Sequence, residues 1–142
     1  MTAVIDASVA AKWLFMEPES DKAQFLLKAV NDRQVTLIAP ELLAVEIGSM
    51  LWKRVLREGV SPNDATAQYS RFKRVGLGLV GIRGLADAAL QLALLQRHPI
   101  YDCLYLALAL EAGCDLITAD EKMHRAFFPN FPRVRLLRDW QP

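Results

Sequence analysis

Leu116-Ile117-Thr118-Ala119-Asp120 and Ala3-Val4-Ile5-Asp6-Ala7-Ser8 share one pattern. Each is a short apolar run that ends on a carboxylate just before a helical pattern begins. Such runs, separated by helix-length segments, read as parallel strands covered by helices. In sheets of that kind, ligands collect beyond the carboxyl ends of the strands. Both Asp6 and Asp120 therefore fall where a site belongs.

Two further β-like runs are Val35-Thr36-Leu37-Ile38 and Val134-Arg135-Leu136-Leu137. Gly78-Leu79-Val80-Gly81-Ile82 is a weaker fifth, because glycine is poor in strand interiors. Helical patterns fill the intervals. They run over Ser8–Met16, Pro18–Asp32 and Glu41–Glu58, the last stopped by Gly59. Ser61-Pro62 opens another that reaches about Val75. Leu85–Arg97 is closed by His98-Pro99, Asp102–Ala112 by Gly113, and a short final helix begins near Asp120. No repeat, low-complexity tract or long linker divides the chain, so residues 1–142 read as a single α/β domain.

At 142 residues with 53% hydrophobic side chains, the chain is large enough to bury its own core. Seventeen basic residues against sixteen acidic ones leave a net charge of +1, which supplies no overall pull on a polyanion. A nucleic-acid partner would have to be held by a local basic surface or by metal ions. Cys103 and Cys114 have no CxxC or paired-His spacing, so they read as reduced, buried thiols in a cytoplasmic protein. No signal peptide pattern opens the chain and no apolar stretch is long enough to span a bilayer, so no membrane role is expected.

Two more acids interrupt apolar helical patterns. Glu46 sits in Leu42-Leu43-Ala44-Val45-Glu46-Ile47, on or beside the face of Leu42, Leu43 and Met50. A carboxylate there needs a basic partner, a proton or a metal. Asp102 stands among Ile100, Tyr101, Cys103, Leu104 and Tyr105. Each acid also has an ordinary explanation. Asp6 can cap a helix, unless Ser8 does so and frees it. Glu46 can reach to solvent from the margin of its stripe. Asp102 can favour a helix dipole, and Asp120 can cap the last helix, or Thr118 and Glu121 can form a capping box there.

Taken together the four are harder to dismiss. Carboxylates brought close raise one another's pKa unless a cation neutralises them. An oxygen-only set without His or Cys suits a hard ion such as Mg²⁺, or Mn²⁺. Such an ion orients a water nucleophile and stabilises charge on a phosphodiester under attack. Composition alone does not separate these four from Asp87, Glu111 and Asp115, which also stand beside apolar residues.

Four segments settle the choice by resemblance. They are Val4-Ile5-Asp6-Ala7-Ser8-Val9 with Lys12-Trp13, and Ala39-Pro40-Glu41-Leu42-Leu43-Ala44-Val45-Glu46. Ile100-Tyr101-Asp102-Cys103-Leu104-Tyr105-Leu106-Ala107 and Leu116-Ile117-Thr118-Ala119-Asp120 follow. In this order and spacing the sequence resembles the PIN-domain ribonucleases, most closely the VapC-type toxins of bacterial toxin–antitoxin pairs. The resemblance implies a PIN-like five-stranded parallel sheet flanked by about seven helices, and a Mg²⁺-dependent endoribonuclease. Asp6 and Asp102 would be the principal Mg²⁺ ligands, directly or through water. Glu46 and Asp120 would complete the catalytic and metal site and help place the attacking water. Ser8 matches a small hydroxyl near the metal-bound waters, and Thr118 a supporting position.

The resemblance gives no role to Asp87, Glu111 or Asp115. Cys103 stands where many members carry Ala and is not read as catalytic. Further implications are an RNA substrate, a homodimer and a cognate antitoxin that blocks the acidic pocket with a peptide. Helices between Pro18 and Arg57 would supply those surfaces, with Trp13, Phe15, Phe25 and Trp52 as candidates. Lys12, Arg54, Arg71, Lys73, Arg74 and Lys122 are candidates for phosphate contacts.

Other chemistries fit less well. A haloacid dehalogenase-type phosphotransfer centre wants a second Asp two places after Asp6, where Ser8 stands. A receiver domain wants an adjacent acidic pair, and Asp6 has no acidic companion before Glu17. A binding module that keeps the fold without catalysis is the remaining alternative.

Overall fold

Ala3, Val4 and Ile5 have almost no contact with solvent, which is the signature of a strand covered on both faces. They belong to β1 (Thr2–Ile5), the middle strand of the sheet in a computed structural model that describes residues 1–142. The other strands are β2 (Thr36–Pro40), β3 (Gly78–Val80), β4 (Asp115–Thr118) and β5 (Val134–Leu136). All four pairings are parallel and the order is β3-β2-β1-β4-β5. The chain leaves β1 toward β2 and later returns to β4 on its other side. The topological switch thus lies between β1 and β4, where open α/β sheets place their ligands.

Seven helices connect the strands: α1 (Ala7–Leu14), α2 (Ser20–Asn31), α3 (Leu42–Glu58), α4 (Pro62–Arg74), α5 (Ala86–Gln96), α6 (Ile100–Ala112) and α7 (Glu121–Phe127). The expected α/β class, five parallel strands and seven helices are all present. Helix α6 is apolar all round and Cys103–Ala109 are all buried, so it lies against β1, β2 and β4 as a core helix. Gly59 and Gly113 end α3 and α6 in the left-handed region, at φ 70° and 62°.

Helix α6 begins at Ile100 rather than Asp102, α1 ends at Leu14 rather than Met16, and several other ends shift by a residue; three differences have a clear physical cause. Helix α2 starts at Ser20, not Pro18, because Glu19 takes a positive φ of 69° that a helix cannot hold. The Ser20 hydroxyl closes that turn, accepting from Glu17 N and donating to the Phe15 carbonyl. Strand β2 runs through Pro40, tolerated because it is the last residue and needs no further ladder donor. Strand β3 is real but only three residues long. A side chain at its Gly78 would press on Ile38, 3.1 Å away, so close strand approach explains that glycine.

Candidate metal centre

The backbone of Asp6 leaves β1 in an extended conformation and its carboxylate caps α1, Oδ1 accepting from Val9 N at 3.3 Å. Ser8 is therefore not the cap. Its hydroxyl instead donates to the same Oδ1, while the Thr118 hydroxyl donates to Oδ2. The register that pairs Ile5 with Ile117 is what brings Thr118 beside Asp6. Capping has not removed Asp6 from the site. It is 5% exposed, and burial pushes its carboxyl up to about 6. The three hydrogen bonds pull the other way, and the nearby charge of Asp102 adds to the rise.

Ser8 and Thr118 also hold the turn after β4. Ala119 N donates to Ser8 Oγ at 2.8 Å, and Asp120 N to Thr118 Oγ1 at 3.0 Å. Each hydroxyl thus accepts from one strand end and donates to the acid at the other. Asp120 follows at the mouth of this arrangement, exposed, with Oδ1 capping α7 through Met123 N at 3.1 Å. The cap of α7 is Asp120 itself, not a Thr118–Glu121 box.

Glu46 lies mid-helix in α3 and is half-buried. Its partner is neither basic nor ionic: the Tyr105 hydroxyl, from the buried centre of α6, donates to Oε1 at 2.9 Å. Burial raises the Glu46 carboxyl, the Tyr105 hydrogen bond opposes that rise, and Asp102's charge reinforces it. Tyr105 is held protonated by its own burial and by the charges of Glu46, Asp6 and Asp102. Sequence reasoning missed Tyr105, although its place three residues after Asp102, on the same helical face, was a signal.

Asp102 occupies the first turn of α6, with its side chain about a third exposed. His98 Nε2 stands 2.6 Å from Oδ2. In the sequence His98 reads as part of a helix stop, but its i,i+4 spacing from Asp102 also marks it as a partner.

The structure therefore brings Asp102 within charge range of both Asp6 and Glu46, and all three within range of Tyr105. Asp120 joins through the backbone and hydroxyl bonds at Thr118. Glu46 Oε2, Asp102 Oδ1 and Asp120 Oδ2 take no hydrogen bond from the protein, each opposite oxygen being the one held. No three of the chain's Asp, Glu, His or Cys side chains stand close enough together to enclose an ion as they lie. The donor set is nevertheless all oxygen, with two hydroxyls and no sulfur, and it fits a hard divalent cation that keeps part of its water. Asp115 is paired with Arg133 at 2.8 Å, and Asp87 and Glu111 are exposed on their helices, apart from this cluster. Burial and Asp102's charge push the Cys103 thiol up to about 11, so it carries no thiolate at neutral pH.

A groove bordered by Ser8 and Asp120 continues along α3, past Lys12, Lys53, Arg54 and Arg57. Lys12 is tied to Glu17 at 3.3 Å, and Arg54 to Glu58 at 3.2 Å while lying over the Phe15 ring. Lys53 and Arg57 are exposed with no acidic partner, and neither was among the expected phosphate contacts. Spacing from Glu46 would have found them, since positions seven and eleven further on return to one helical face. Arg71, Lys73, Arg74 and Lys122 do not border this groove. Trp13 is buried and donates to the Ala23 carbonyl at 2.8 Å, joining α1 to α2, whereas Phe25 and Trp52 are exposed. A separate cavity near Cys114 and Val134 is mainly apolar, and its one charged side chain, Arg133, is already engaged by Asp115 and the Gly113 carbonyl.

Residues 3–128 match the family model described as PIN domain. Among curated proteins, Ribonuclease VapC3 of Pyrobaculum aerophilum is 31% identical over 131 residues, which is 89% of this chain and 95% of that protein. Among solved structures, PAE2754 from Pyrobaculum aerophilum superposes with a TM-score of 0.70 at 22% identity, covering 97% of this chain and 93% of that one. A toxin–antitoxin complex from Klebsiella pneumoniae gives 0.67 at 16% identity, covering 95% and 97%. VapBC2 from Rickettsia felis, bound to a promoter DNA fragment, gives 0.66 at 15%, covering 96% and 97%. With a family model matched over residues 3–128 and a relative 31% identical over most of both chains, this chain belongs to the PIN domain family and stands with the VapC proteins within it.

Proposed function

We propose that the chain, acting as one domain over residues 1–142, is a Mg²⁺-dependent endoribonuclease and the toxin of a toxin–antitoxin pair. The observation that carries this reading is Asp6: a buried carboxylate, held by two hydroxyls, whose charge meets that of Asp102 and, through it, Glu46. A site that concentrates negative charge at the switch point of the sheet is costly unless a cation is bound there. The VapC3 relative is named a ribonuclease, which directs the proposal to RNA.

Asp6 and Asp102 would hold the ion, with Mn²⁺ as an alternative to Mg²⁺, and Glu46 and Asp120 would offer their unheld oxygens. Once bound, the ion supplies neutralisation of the phosphodiester charge and acidification of water. Ser8 and Thr118 keep Asp6 oriented. Glu46, with its raised proton affinity and free Oε2, is suited to accept a proton from the attacking water. Tyr105 fixes the other oxygen so that Oε2 is the one presented. Lys53 and Arg57 would guide the RNA strand along α3.

The partners follow from the same reading. Two structural neighbours were solved as toxin–antitoxin assemblies, which motivates an antitoxin that covers the acidic centre. Exposed Phe25 and Trp52 offer apolar area for that contact or for a homodimer. No helix is long and apolar enough to cross a membrane, and the cytoplasm is the proposed compartment. The direct test is cleavage of total RNA with and without Mg²⁺. Cleavage that stops in EDTA and in folded Asp6→Asn or Asp102→Asn protein is expected. Unchanged cleavage in either variant would overturn the assignment, and antitoxin capture without cleavage under any divalent metal would favour the silent binding module.

A further inference from the structure

We propose that His98 is a positioning residue of the acidic centre, holding Asp102 Oδ2 so that Oδ1 is left as the oxygen for the ion. This inference rests on the metal-centre reading above. A carboxylate accepts, so the ring nitrogen that meets it at 2.6 Å carries the proton.

The ring is itself built into the fold. Its side chain is only 9% exposed, and its edge packs on Phe127 with centroids 4.8 Å apart at 64°. Phe127 is fully buried at the end of α7, the helix that Asp120 caps. The backbone on either side is fixed as well. Arg97 ends α5 at a positive φ of 51°, His98 N donates to the Ala93 carbonyl at 3.2 Å, and Pro99 immediately precedes α6. His98 therefore cannot follow Asp102 if that side chain moves.

Asp102 needs such a partner. The start of α6 offers it no capping bond, and His98 is its one side-chain contact by hydrogen bond. Asp6 is held at both oxygens by its own turn and by Thr118, Glu46 by Tyr105, and Asp120 by Met123 N. Without His98, Asp102 would be the one member free to change rotamer. Partners that orient a ligating carboxylate are typically worth ~10–100-fold in metal affinity. A surface ion pair would matter far less, and the burial of the ring separates the two cases.

The experiment compares His98→Gln with His98→Asn in the full chain. Gln can place an amide N–H near the position of Nε2, and Asn is too short to do so. Mn²⁺ binding is read by electron paramagnetic resonance, alongside denaturation midpoints, with Asp102→Asn as control. Expected are a loss of about tenfold in Mn²⁺ affinity for His98→Asn, most of it restored in His98→Gln, and loss of binding in Asp102→Asn. Cleavage against Mg²⁺ concentration should shift to the right in the same order, with the maximal rate nearly reached at high metal. Wild-type affinity in a folded His98→Asn protein, or equal losses in both variants, would overturn the positioning role alone. Undiminished Mn²⁺ binding in Asp102→Asn would overturn the metal-centre reading and this inference with it.

Discussion

Tyr105 Oη lies 2.9 Å from Glu46 Oε1, so the most buried tyrosine of α6 is the hydrogen-bond partner of the acid that interrupts α3. That bond lowers the proton affinity of Glu46 against the opposing effects of burial and Asp102. Tyr105→Phe keeps the ring in the core and removes only the donor. The Glu46 carboxyl should then titrate higher, moving the acid limb of the kcat/KM profile for RNA cleavage to higher pH. Stability should fall by only about 1 kcal/mol, the usual net worth of one hydrogen bond. An unmoved acid limb in an active variant would exclude Glu46 as the proton acceptor.

Asp6 binds its proton more tightly in the folded chain, at about 6, than at its ordinary value of 3.8. A carboxyl raised in this way stabilises the fold fully below about pH 4, and the contribution is lost as pH rises through about 6. That rise corresponds to about 3 kcal/mol. Asp6→Asn removes that titration. Its amide can donate to Thr118 Oγ1, whose hydroxyl can turn to Met123 Sδ, 3.7 Å away. In EDTA, urea denaturation should therefore show Asp6→Asn more stable than wild type at pH 8, by up to about 3 kcal/mol, and nearly equal at pH 4. A variant less stable at pH 8 would mean that the hydrogen bonds to Asp6 outweigh its burial.

Metal should reverse that difference. A ligand at a hundred times its Kd stabilises by about 2.7 kcal/mol. Saturating Mg²⁺ at pH 8 should raise the wild-type midpoint by an increment of this order and leave Asp6→Asn almost unmoved. The wild-type increment should shrink toward pH 5, where Asp6 is protonated in the folded chain. Equal increments in both proteins would place the stabilising ion somewhere other than Asp6.

The sequence made the frame of this site readable because period and punctuation reflect local physics. Apolar runs ending on Asp6 and Asp120, with Gly59 and Gly113 as helix stops, locate the strand ends and the switch point. The side-chain partners were less readable. Whether Asp6 or Ser8 caps α1 depends on Thr118, more than a hundred residues away, and no local preference decides that. Tyr105 and His98 lie at helical spacing from Asp102, yet both passed as core and punctuation because their partners are polar groups within an apolar pattern. Pro40 and Glu19 moved element boundaries for reasons of backbone geometry that propensity averages away. Lys53 and Arg57 were hidden among several basic residues until the groove singled them out.

Lys53 and Arg57 are exposed, lack acidic partners and line the path leading away from Ser8 and Asp120. Lys73 and Arg74 are also exposed but lie on α4 outside it. Reversing both charges as Lys53→Glu with Arg57→Glu should raise KM for RNA several-fold with little change in kcat, because neither residue belongs to the acid cluster. Single-stranded binding loses about 0.7 in the salt slope for each phosphate contact removed, so the double variant should flatten the dependence of log(1/KM) on log salt by roughly 1.4. The matching pair Lys73→Glu with Arg74→Glu should leave KM and slope nearly as they were. If the α4 pair changes both and the α3 pair neither, the RNA does not run along α3, and the path must cross the other side of the acidic centre.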